Sequence, residues 1–301
     1  MTHHAGHVPV MLEEVLGHLS PHPGQTVVDG TAGGGGYAAA IRERILPDGQ
    51  LILLDRDREA LERLKARFER PNHVRYFHAD FCDIDLVLRQ AGCPAVDGCA
   101  LDLGLSSLQI ADAGRGFSFD RPGPLDMRFD RSQDLTADAV VNRWPAERLA
   151  EALRAYGDQP FARRIARAVV QARPIGDTGR LAEVVAAAVP AAWRRKQAIH
   201  PATRVFQAVR IVVNDELGSL ETFLDKIFGL LRPGGRVAIV SFHSGEDRIV
   251  KRRFREAASR EEVRLPVRKP VRPTPEEVEA NPRARSARLR VAQRLPAADT
   301  S

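Results

Sequence analysis

The feature that most constrains the fold is a glycine-rich turn that follows a short apolar run near the N-terminus. Residues 26–29 form that run and end in Asp29, and five of the next seven residues are glycine. Residues 37–46 then have the spacing of a helix. A strand that leads through such a turn into a helix is a ligand-binding device, because glycine lets the backbone approach a ligand and the helix start offers free N–H groups. The alternative is a tight turn without a ligand.

Strand and helix patterns alternate along the first hundred residues. Four segments have the composition of strands and are almost continuously apolar, which is typical of a parallel sheet covered by helices on both faces. They are residues 26–29, 51–54, 74–77 and 96–103. The sequence therefore predicts an α/β fold with a mostly parallel sheet.

An all-helical block interrupts this alternation. Every periodic segment from residue 136 to about residue 210 has helical spacing. The strand and helix pattern resumes with a helix at 217–231, a turn at 232–235 and a strand at 236–241. We therefore predict one discontinuous domain and one inserted helical domain. The first comprises residues 1–109 and 211–301, and the second comprises residues 110–210.

Charge is distributed unevenly along the 301 residues, whose formal net charge is +6. Lys and Arg outnumber Asp and Glu in residues 154–210 and again in residues 251–294, whereas the rest of the chain is net acidic. Concentrated arginine favours a partner that carries many phosphates. Solvated helix faces would give the same pattern. The tail after residue 258 is rich in Pro and Arg, and we predict it to be partly extended.

Composition and cysteine usage narrow the class of protein. Hydrophobic residues make up 44% and charged residues 28% of the chain, which excludes a wholly disordered, collagen-like or coiled-coil chain. No apolar run approaches the roughly 18 residues of a membrane span, and the first residues lack the pattern of a secretory signal. The three cysteines lack CxxC spacing. We expect a cytoplasmic protein that does not bind membranes and holds no metal.

Acidic residues end three of the predicted strands, namely Asp29, Asp55 and Asp102. A carboxylate at the position of Asp55 typically accepts from the ribose hydroxyls of a nucleoside, which indicates an adenosine-containing cofactor. Asp29 would oppose a pyrophosphate but suits a sulfonium or an amino group. The acids therefore favour S-adenosylmethionine. The glycine spacing also satisfies the dinucleotide pattern GxGxxA, so an NAD-dependent oxidoreductase stays open as an alternative.

Several longer motifs resemble those of one enzyme family. They include GHVPVM at residues 6–11, DLG at 102–104, RGFSF at 115–119, GPLDMR at 123–128, HPATR at 200–204 and SFHS at 241–244. On these motifs the chain resembles the bacterial ribosomal small-subunit RNA methyltransferases of the MraW family, which methylate the N4 amino group of a cytidine. The resemblance covers nearly the whole chain.

The resemblance implies a Rossmann-like class I methyltransferase core with a helical insertion that recognises RNA. It also implies S-adenosylmethionine as cofactor, S-adenosylhomocysteine as product and, as substrate, a decoding-region cytidine of 16S ribosomal RNA in an assembled small subunit. A non-catalytic ribosomal RNA-binding factor stays open as a further alternative, and so does a homodimer. By motif position, the implied cofactor contacts are Gly35, Gly36, Tyr37, Asp55, Phe81, Asp102 and Gln109.

Two residues are candidates for the chemistry of methyl transfer. Asp102 would contact the cofactor or the cytidine amine, with a solvated acid at a strand end as the alternative. His243 follows the last predicted strand and would be either a proton acceptor or a structural group. Three positions depart from the family pattern: Tyr37 replaces a common His, Leu108 a usual Pro and Gly245 a common Leu.

RNA contacts are expected in two parts of the predicted insertion. One is the segment of residues 116–131, which is rich in Gly, Arg and Asp. The other is a set of basic side chains, namely Arg163, Arg164, Arg194, Arg195 and Lys196. A cytidine must leave its stack to be methylated, which costs a few kcal/mol unless the base is already unpaired. Phosphate contacts would offset that cost and make binding sensitive to salt.

Overall fold

The computed structural model describes residues 9–68, 73–197 and 199–296. The chain divides into two compact units, one of residues 1–104 and 217–301 and the other of residues 105–216. The division predicted from the sequence, after residue 109 and before residue 211, differs from these limits by a few residues at each end.

The first unit is built on a seven-stranded sheet with the order β3-β2-β1-β4-β5-β7-β6. Its strands are β1 (Thr26–Asp29), β2 (Gln50–Asp55), β3 (Val74–His78), β4 (Val96–Asp102), β5 (Leu231–Ser241), β6 (Val263–Arg264) and β7 (Arg288–Arg294). Strands β1 to β5 pair in parallel, whereas β7 is antiparallel to both β5 and β6. The predicted α/β fold, a Rossmann-like core with a mostly parallel sheet, is confirmed.

Helices cover both faces of this sheet, as the almost continuous apolar strands require. They are α1 (Leu12–Leu19), α2 (Gly36–Ile45), α3 (Arg58–Arg67), α4 (Ile84–Gln90), α12 (Glu216–Leu230), α13 (Ser244–Ser259) and α14 (Pro275–Ala280). Ile41 of α2 and Leu64 of α3 belong to the core on one face. Leu88 of α4, Phe223 of α12 and Phe254 of α13 belong to the core on the other face. This packing fixes the edge of the sheet where the parallel strands end.

The strand predicted at 236–241 begins earlier, at Leu231, and the turn predicted at 232–235 lies within it, where these residues have no register partner in β4 or β7. The structure includes these residues in β5, where the register with β4 shifts between the pairs Val96–Leu231 and Gly98–Arg236. Pro and Gly at 233–235 therefore form an irregularity within the pairing. Such residues are tolerated at an irregularity of this kind, although in sequence they are typical of a turn.

The C-terminal tail has a defined structure. Its extended parts are the strands β6 and β7, with α14 between them in sequence, and β7 lies between β5 and β6 in the sheet. Leu289 and Val291 of β7 are buried in the core. Arg288 and Arg290 alternate with them and form ion pairs with Asp247 of α13, at 2.8 and 2.7 Å. The pairing of two of its three arginines with a distant acid lets this strand lie inside the sheet.

The second unit consists of helices and irregular segments in its described residues. Its helices are α5 (Ser107–Ala111), α6 (Ala137–Arg143), α7 (Ala146–Gly157), α8 (Ala162–Gln171), α9 (Thr178–Ala188), α10 (Ala191–Arg194) and α11 (Pro201–Asn214). They share one apolar core that includes Val140, Leu153, Ile165 and Val185. Among the described residues of either unit, no helix is both long and apolar enough to cross a membrane.

The irregular segment before α6 is held by polar side chains within the second unit. Arg115 is almost fully buried, and its guanidinium donates to the carbonyl groups of Arg128 and Phe129. Asn214, at the end of α11, donates to the carbonyl of Met127 and accepts from the amide of Phe129. Because buried backbone groups need partners, these contacts fix a loop that has no regular structure of its own.

Candidate active site

The glycine-rich turn connects β1 to α2 and has the geometry of a close backbone approach. Gly35 precedes α2 with φ of 77°, a left-handed conformation that favours glycine. A side chain at Gly36 would overlap the ring of Pro9, and one at Gly34 would project into open space. Only glycine therefore fits at Gly35 and Gly36, and the surface of the turn is open beside them.

Asp55, at the end of β2, is joined to this turn. One carboxylate oxygen accepts from the amide of Gly33 at 2.7 Å, and the other accepts from the amide of Asp57 at 2.7 Å. Burial raises the pKa of Asp55 from 3.8 to about 6, although both hydrogen bonds oppose this shift. Each oxygen keeps a further lone pair, so the carboxylate can still accept from ribose hydroxyls.

Asp29, at the end of β1, is only 1% exposed. Its Oδ1 atom accepts from the amide of Thr31 at 3.2 Å, whereas Oδ2 is buried and has no hydrogen-bond partner in the part of the chain that the structure describes. Burial raises the pKa of Asp29 to about 7, and the charge of Asp55 adds to the shift. A buried carboxylate oxygen without a partner is unfavourable unless a ligand supplies a hydrogen-bond donor or a positive charge.

Asp102, at the end of β4, is in the same state. Its amide donates to Oγ1 of Thr31 at 2.7 Å, but its buried Oδ1 atom has no partner among the described residues. Burial holds the pKa of Asp102 well above its usual range, and the charges of Asp29 and Glu246 add to the effect. The strand ends thus place two incompletely bonded carboxylates in one electrostatic neighbourhood.

Glu246 is a fourth acid of this neighbourhood, and the sequence analysis missed it. Its side chain is 2% exposed, and its Oε2 atom accepts from the amides of Phe242 and His243, at 2.8 and 3.2 Å. A polar residue followed three positions later by Glu at the start of a helix is the sequence signature of a capping box. His243 and Glu246 have that spacing at the start of α13, so the signal was present.

His243 caps the start of α13. Its Nδ1 atom accepts from the amides of Gly245 and Glu246, so the ring proton of the neutral form lies on Nε2. A Cβ atom at Gly245 would come within 3.1 Å of the His243 ring. The glycine that departs from the family pattern therefore gives the ring its space.

Tyr37 and Phe81 are placed differently from each other. The Tyr37 side chain is 4% exposed, and its hydroxyl donates to the carbonyl of Val10, so a ligand at the turn would meet the backbone of Tyr37. Phe81 directly follows the turn after β3 and packs edge-on against Phe223, with 5.7 Å between ring centroids. Phe81 is only half-buried and offers apolar surface beside Asp80.

Gln109 belongs to the second unit, where it is buried at the start of α5. Its Oε1 atom accepts from the amide of Ser106 at 3.0 Å, and its own amide donates to Oγ of Ser106 at 3.2 Å. This capping box orders the helix start without the usual proline, and Leu108 is half exposed. The role of Gln109 as a cofactor contact stays a prediction.

The residues expected to contact RNA differ in exposure and in whether their side chains are already bonded within the protein. Arg163 and Arg164 lie on α8, Arg194 ends α10, and Arg195 and Lys196 follow it; all five are exposed. In the segment 116–131, by contrast, Arg128 donates to both oxygens of Asp126 at 2.7 and 3.0 Å. That guanidinium stabilises the loop, which limits what it can offer to RNA.

The charges of four acidic residues, two buried and two partly buried, restrict which cofactor the site can hold. Asp29, Asp55, Asp102 and Glu246 place excess negative charge at one edge of the sheet, and buried charges need cations or donors. A sulfonium, an ammonium and ribose hydroxyls supply these, so the residues fit S-adenosylmethionine. A pyrophosphate would add negative charge beside Asp29. Among the described residues no group of three or more His, Cys, Asp or Glu side chains is arranged to hold a metal ion.

Comparisons with known proteins agree with this fit. The model of the MraW methylase family matches residues 4–295. A Ribosomal RNA small subunit methyltransferase H of Nitratidesulfovibrio vulgaris (strain DSM 19637 / Miyazaki F) is 49% identical over 309 residues, which cover 96% of this chain and 86% of that protein. A protein with the same name from Symbiobacterium thermophilum is 45% identical, with 97% and 98% covered. One from Thermomicrobium roseum is also 45% identical, with 96% and 94% covered.

Proposed function

Because the chain belongs to the MraW methylase family, we propose that it transfers a methyl group from S-adenosylmethionine to the N4 amine of a cytidine in 16S ribosomal RNA. The substrate is the decoding-region cytidine of an assembled small ribosomal subunit. The relatives named for methylation of small-subunit ribosomal RNA support this substrate class. The observation that carries the methyl-transfer part is the pair of buried carboxylate oxygens, on Asp29 and Asp102, that lack donors beside the glycine-rich turn.

The cofactor is S-adenosylmethionine, which supplies an electrophilic methyl group when bound. Asp55 accepts from its ribose hydroxyls, and Phe81 packs against its adenine. The backbone from Gly35 to Tyr37 approaches its amino acid part, and Asp29 offsets its positive charge. Gln109 completes the cofactor contacts. The roles of Asp29, Asp55 and Phe81 follow from their positions at or just after the ends of neighbouring strands. The role of Gln109 follows from the family resemblance alone.

Asp102 orients the nucleophile. The cytosine amine is a poor nucleophile because its lone pair is delocalised into the ring. A carboxylate that accepts from an amine hydrogen helps to align that lone pair with the methyl group, at an approach distance of about 3–3.5 Å. The unpartnered Oδ1 atom of Asp102 has the free capacity for this hydrogen bond. When the bond from N4 to the methyl carbon forms and the bond from that carbon to the sulfonium sulfur breaks, the amine proton would pass to Oδ1 of Asp102 and from there to solvent. We assign His243 to the start of α13 and not to this proton.

The helical unit binds the RNA that presents the cytidine. Its exposed arginines supply donors for phosphate oxygens; they are Arg163 and Arg164 on α8, Arg194 at the end of α10 and Arg195 directly after it. Contacts of this kind position an RNA without reading its sequence. Recognition of one cytidine then depends on the shape of the assembled subunit.

The test is methyl transfer from labelled S-adenosylmethionine to unmodified small subunits and to naked ribosomal RNA, followed by nucleoside mass spectrometry. We expect N4-methylcytidine on subunits and little or none on naked RNA. A different methylated nucleoside would contradict the N4 assignment. Equal methylation of both substrates would contradict the requirement for an assembled subunit. Cofactor binding without any methylated nucleoside would overturn the proposed substrate.

A further inference from the structure

Helices α8 and α9 of the second unit line an open groove with a volume of about 1030 Å³. Small apolar side chains form its floor; they include Ala168 and Ala172 of α8 and Val184 and Ala188 of α9. Four arginines lie around it, namely Arg163, Arg164, Arg167 and Arg180. Glu183 is the one acid among the lining residues.

The arginines of α8 lack counter-charges. Arg163, Arg164 and Arg167 are exposed, and none of them forms a hydrogen bond or an ion pair with the residues that the structure describes. On α9, Arg180 pairs with Glu183 at 3.0 Å, but both side chains are more than half exposed, so this pair is weak and screened. The groove therefore carries a net positive charge that the unit itself does not neutralise.

The basic surface continues past the N-terminal end of α8. A smaller cavity of about 290 Å³ shares Arg163 and Arg164 with the groove and adds Arg154 and Phe161. Arg154 is exposed near the end of α7 and also lacks an ion pair among the described residues. The opposite face of α8, with Ile165, is buried in the core, so the cations are held on one outer side of the helix.

The packing and the charge of the groove both favour binding of a chain of phosphate groups. Like charges on one short surface repel each other, and a polyanion relieves this repulsion while releasing its own counterions. All five cations are Arg, whose planar fork binds phosphate oxygens through two N–H groups. The alanine-rich floor leaves room for a chain to approach between the two helices.

We propose that the α8–α9 groove binds the phosphodiester backbone of RNA. The proposal rests on the proposed function for the presence of RNA. It goes further by assigning the phosphate contacts to one groove, to which Arg167 of α8 and Arg180 of α9 also belong. Because guanidinium groups here meet phosphates, the groove contributes affinity and not base selection. It acts on RNA binding, and the methyl-transfer step itself does not depend on it.

The test compares two triple variants of the full chain. The groove variant is Arg163→Gln/Arg164→Gln/Arg167→Gln. The control is Arg44→Gln/Arg89→Gln/Arg143→Gln, which removes the same charge from three exposed positions outside the groove and outside both basic segments. Binding of ribosomal RNA is measured without cofactor over a series of salt concentrations, and thermal melting verifies that each variant folds.

We expect the groove variant to bind at least about tenfold more weakly, and the slope of log affinity against log salt to fall by about two to three. The control keeps a slope near that of the unmodified chain. Glu183→Gln removes the acid of the groove and strengthens RNA binding. A groove variant that binds RNA as tightly as the control overturns the proposal. So does displacement of RNA by polyglutamate of equal charge at equal concentration, which indicates an acidic protein as the partner.

Methyl transfer by the unmodified chain separates this proposal from the proposed function. If RNA binding depends on the groove but no N4-methylcytidine forms, the proposed function fails and the groove stands. If N4-methylcytidine forms and the groove variant has an unchanged KM for small subunits, the groove proposal fails alone. A raised KM with an unchanged kcat supports the groove.

Discussion

Nε2 of His243 lies 3.2 Å from Oε1 of Glu246, while the other carboxylate oxygen accepts from the amides of Phe242 and His243. The Nδ1 atom of the imidazole accepts from backbone amides, whereas the buried Nε2 atom approaches this carboxylate without a hydrogen-bond partner among the described residues. The negative charge of Glu246 in turn acts on Asp102. A residue that resembles a proton acceptor in sequence is a helix cap in the structure.

This assignment predicts different outcomes for two substitutions of His243. His243→Ala removes the cap and should lower the free energy of unfolding by about 1 kcal/mol, whereas His243→Asn can still accept from the helix amides and should lose little. We expect the Asn variant to keep a kcat near that of the unmodified chain. Urea unfolding and single-turnover methyl transfer measure the two effects. A stable Asn variant without turnover would show that His243 moves a proton.

Asp102→Asn should lower kcat without lowering the free energy of unfolding. The substitution keeps the shape of the side chain but removes the charge that orients the amine, and we expect kcat to fall about a hundredfold. The free energy of unfolding should stay equal or rise, because a buried acid beside Asp29 and Glu246 is repelled by both. Full turnover by Asp102→Asn and by Asp102→Ala would exclude the proposed role.

Asp29 should make the stability of the cofactor-free protein depend on pH. Its pKa rises from 3.8 to about 7 on folding, so the folded state binds more protons than the unfolded chain between these values. The contribution of Asp29 is therefore present below about pH 4 and is lost as the pH rises to about 7, at up to about 1.4 kcal/mol per pH unit. Asp29→Asn should remove this loss.

The measurement is the difference in unfolding free energy between Asp29→Asn and the unmodified chain across this pH range, since the difference cancels the other titrating groups. We expect the variant to gain relative stability as the pH rises. A difference that is constant with pH would mean that Asp29 stays ionised throughout.

Cofactor binding should depend on pH through the same acids. Asp29 and Asp55 have pKa values raised to about 7 and about 6, and only their ionised forms attract a sulfonium. The preference for S-adenosylmethionine over S-adenosylhomocysteine, which lacks the sulfonium charge, should therefore increase from about pH 5 to about pH 8. Calorimetric titration with both ligands measures this ratio. An equal preference at all pH values would place the sulfonium away from these carboxylates.

The pairing of Asp247 with Arg288 and Arg290 should be a main support of the C-terminal strand. Asp247→Asn leaves two poorly solvated guanidinium groups without a counter-charge, and we expect a loss of about 3 kcal/mol in unfolding free energy. Asp225→Asn is the control, because it breaks a pair with Arg253 whose acid is 57% exposed, and it should cost less than about 1 kcal/mol. Equal losses would contradict a buried role for Asp247.

Much of the candidate site could be predicted from the sequence, because the motifs that indicate it lie in short segments of the chain. The glycine-rich turn, the acids at 29, 55 and 102, and the strand pattern lie in short segments, and the parallel arrangement brings the ends of those strands to one edge. The resemblance to the MraW family is confirmed over residues 4–295 for the same reason. Glu246 could not be assigned to the site in the same way, because its capping-box spacing indicates a helix start but not that the fold brings the carboxylate near Asp102.

The sequence by itself determined the α/β fold, the family and the cofactor, because hydrophobic periodicity and motif spacing can be recognised without knowing how the segments pack together. Only the tertiary structure decided which charged residues are internal. In the sequence, Arg290 belongs to a basic tail and would be expected at the surface. In the structure, its Nε atom lies 2.7 Å from Oδ1 of Asp247 in α13. Arg163, with the same side chain, stays exposed beside an open groove. The two arginines differ in burial because one has a partner that is distant in sequence, and only the packing of the folded chain brings such partners together.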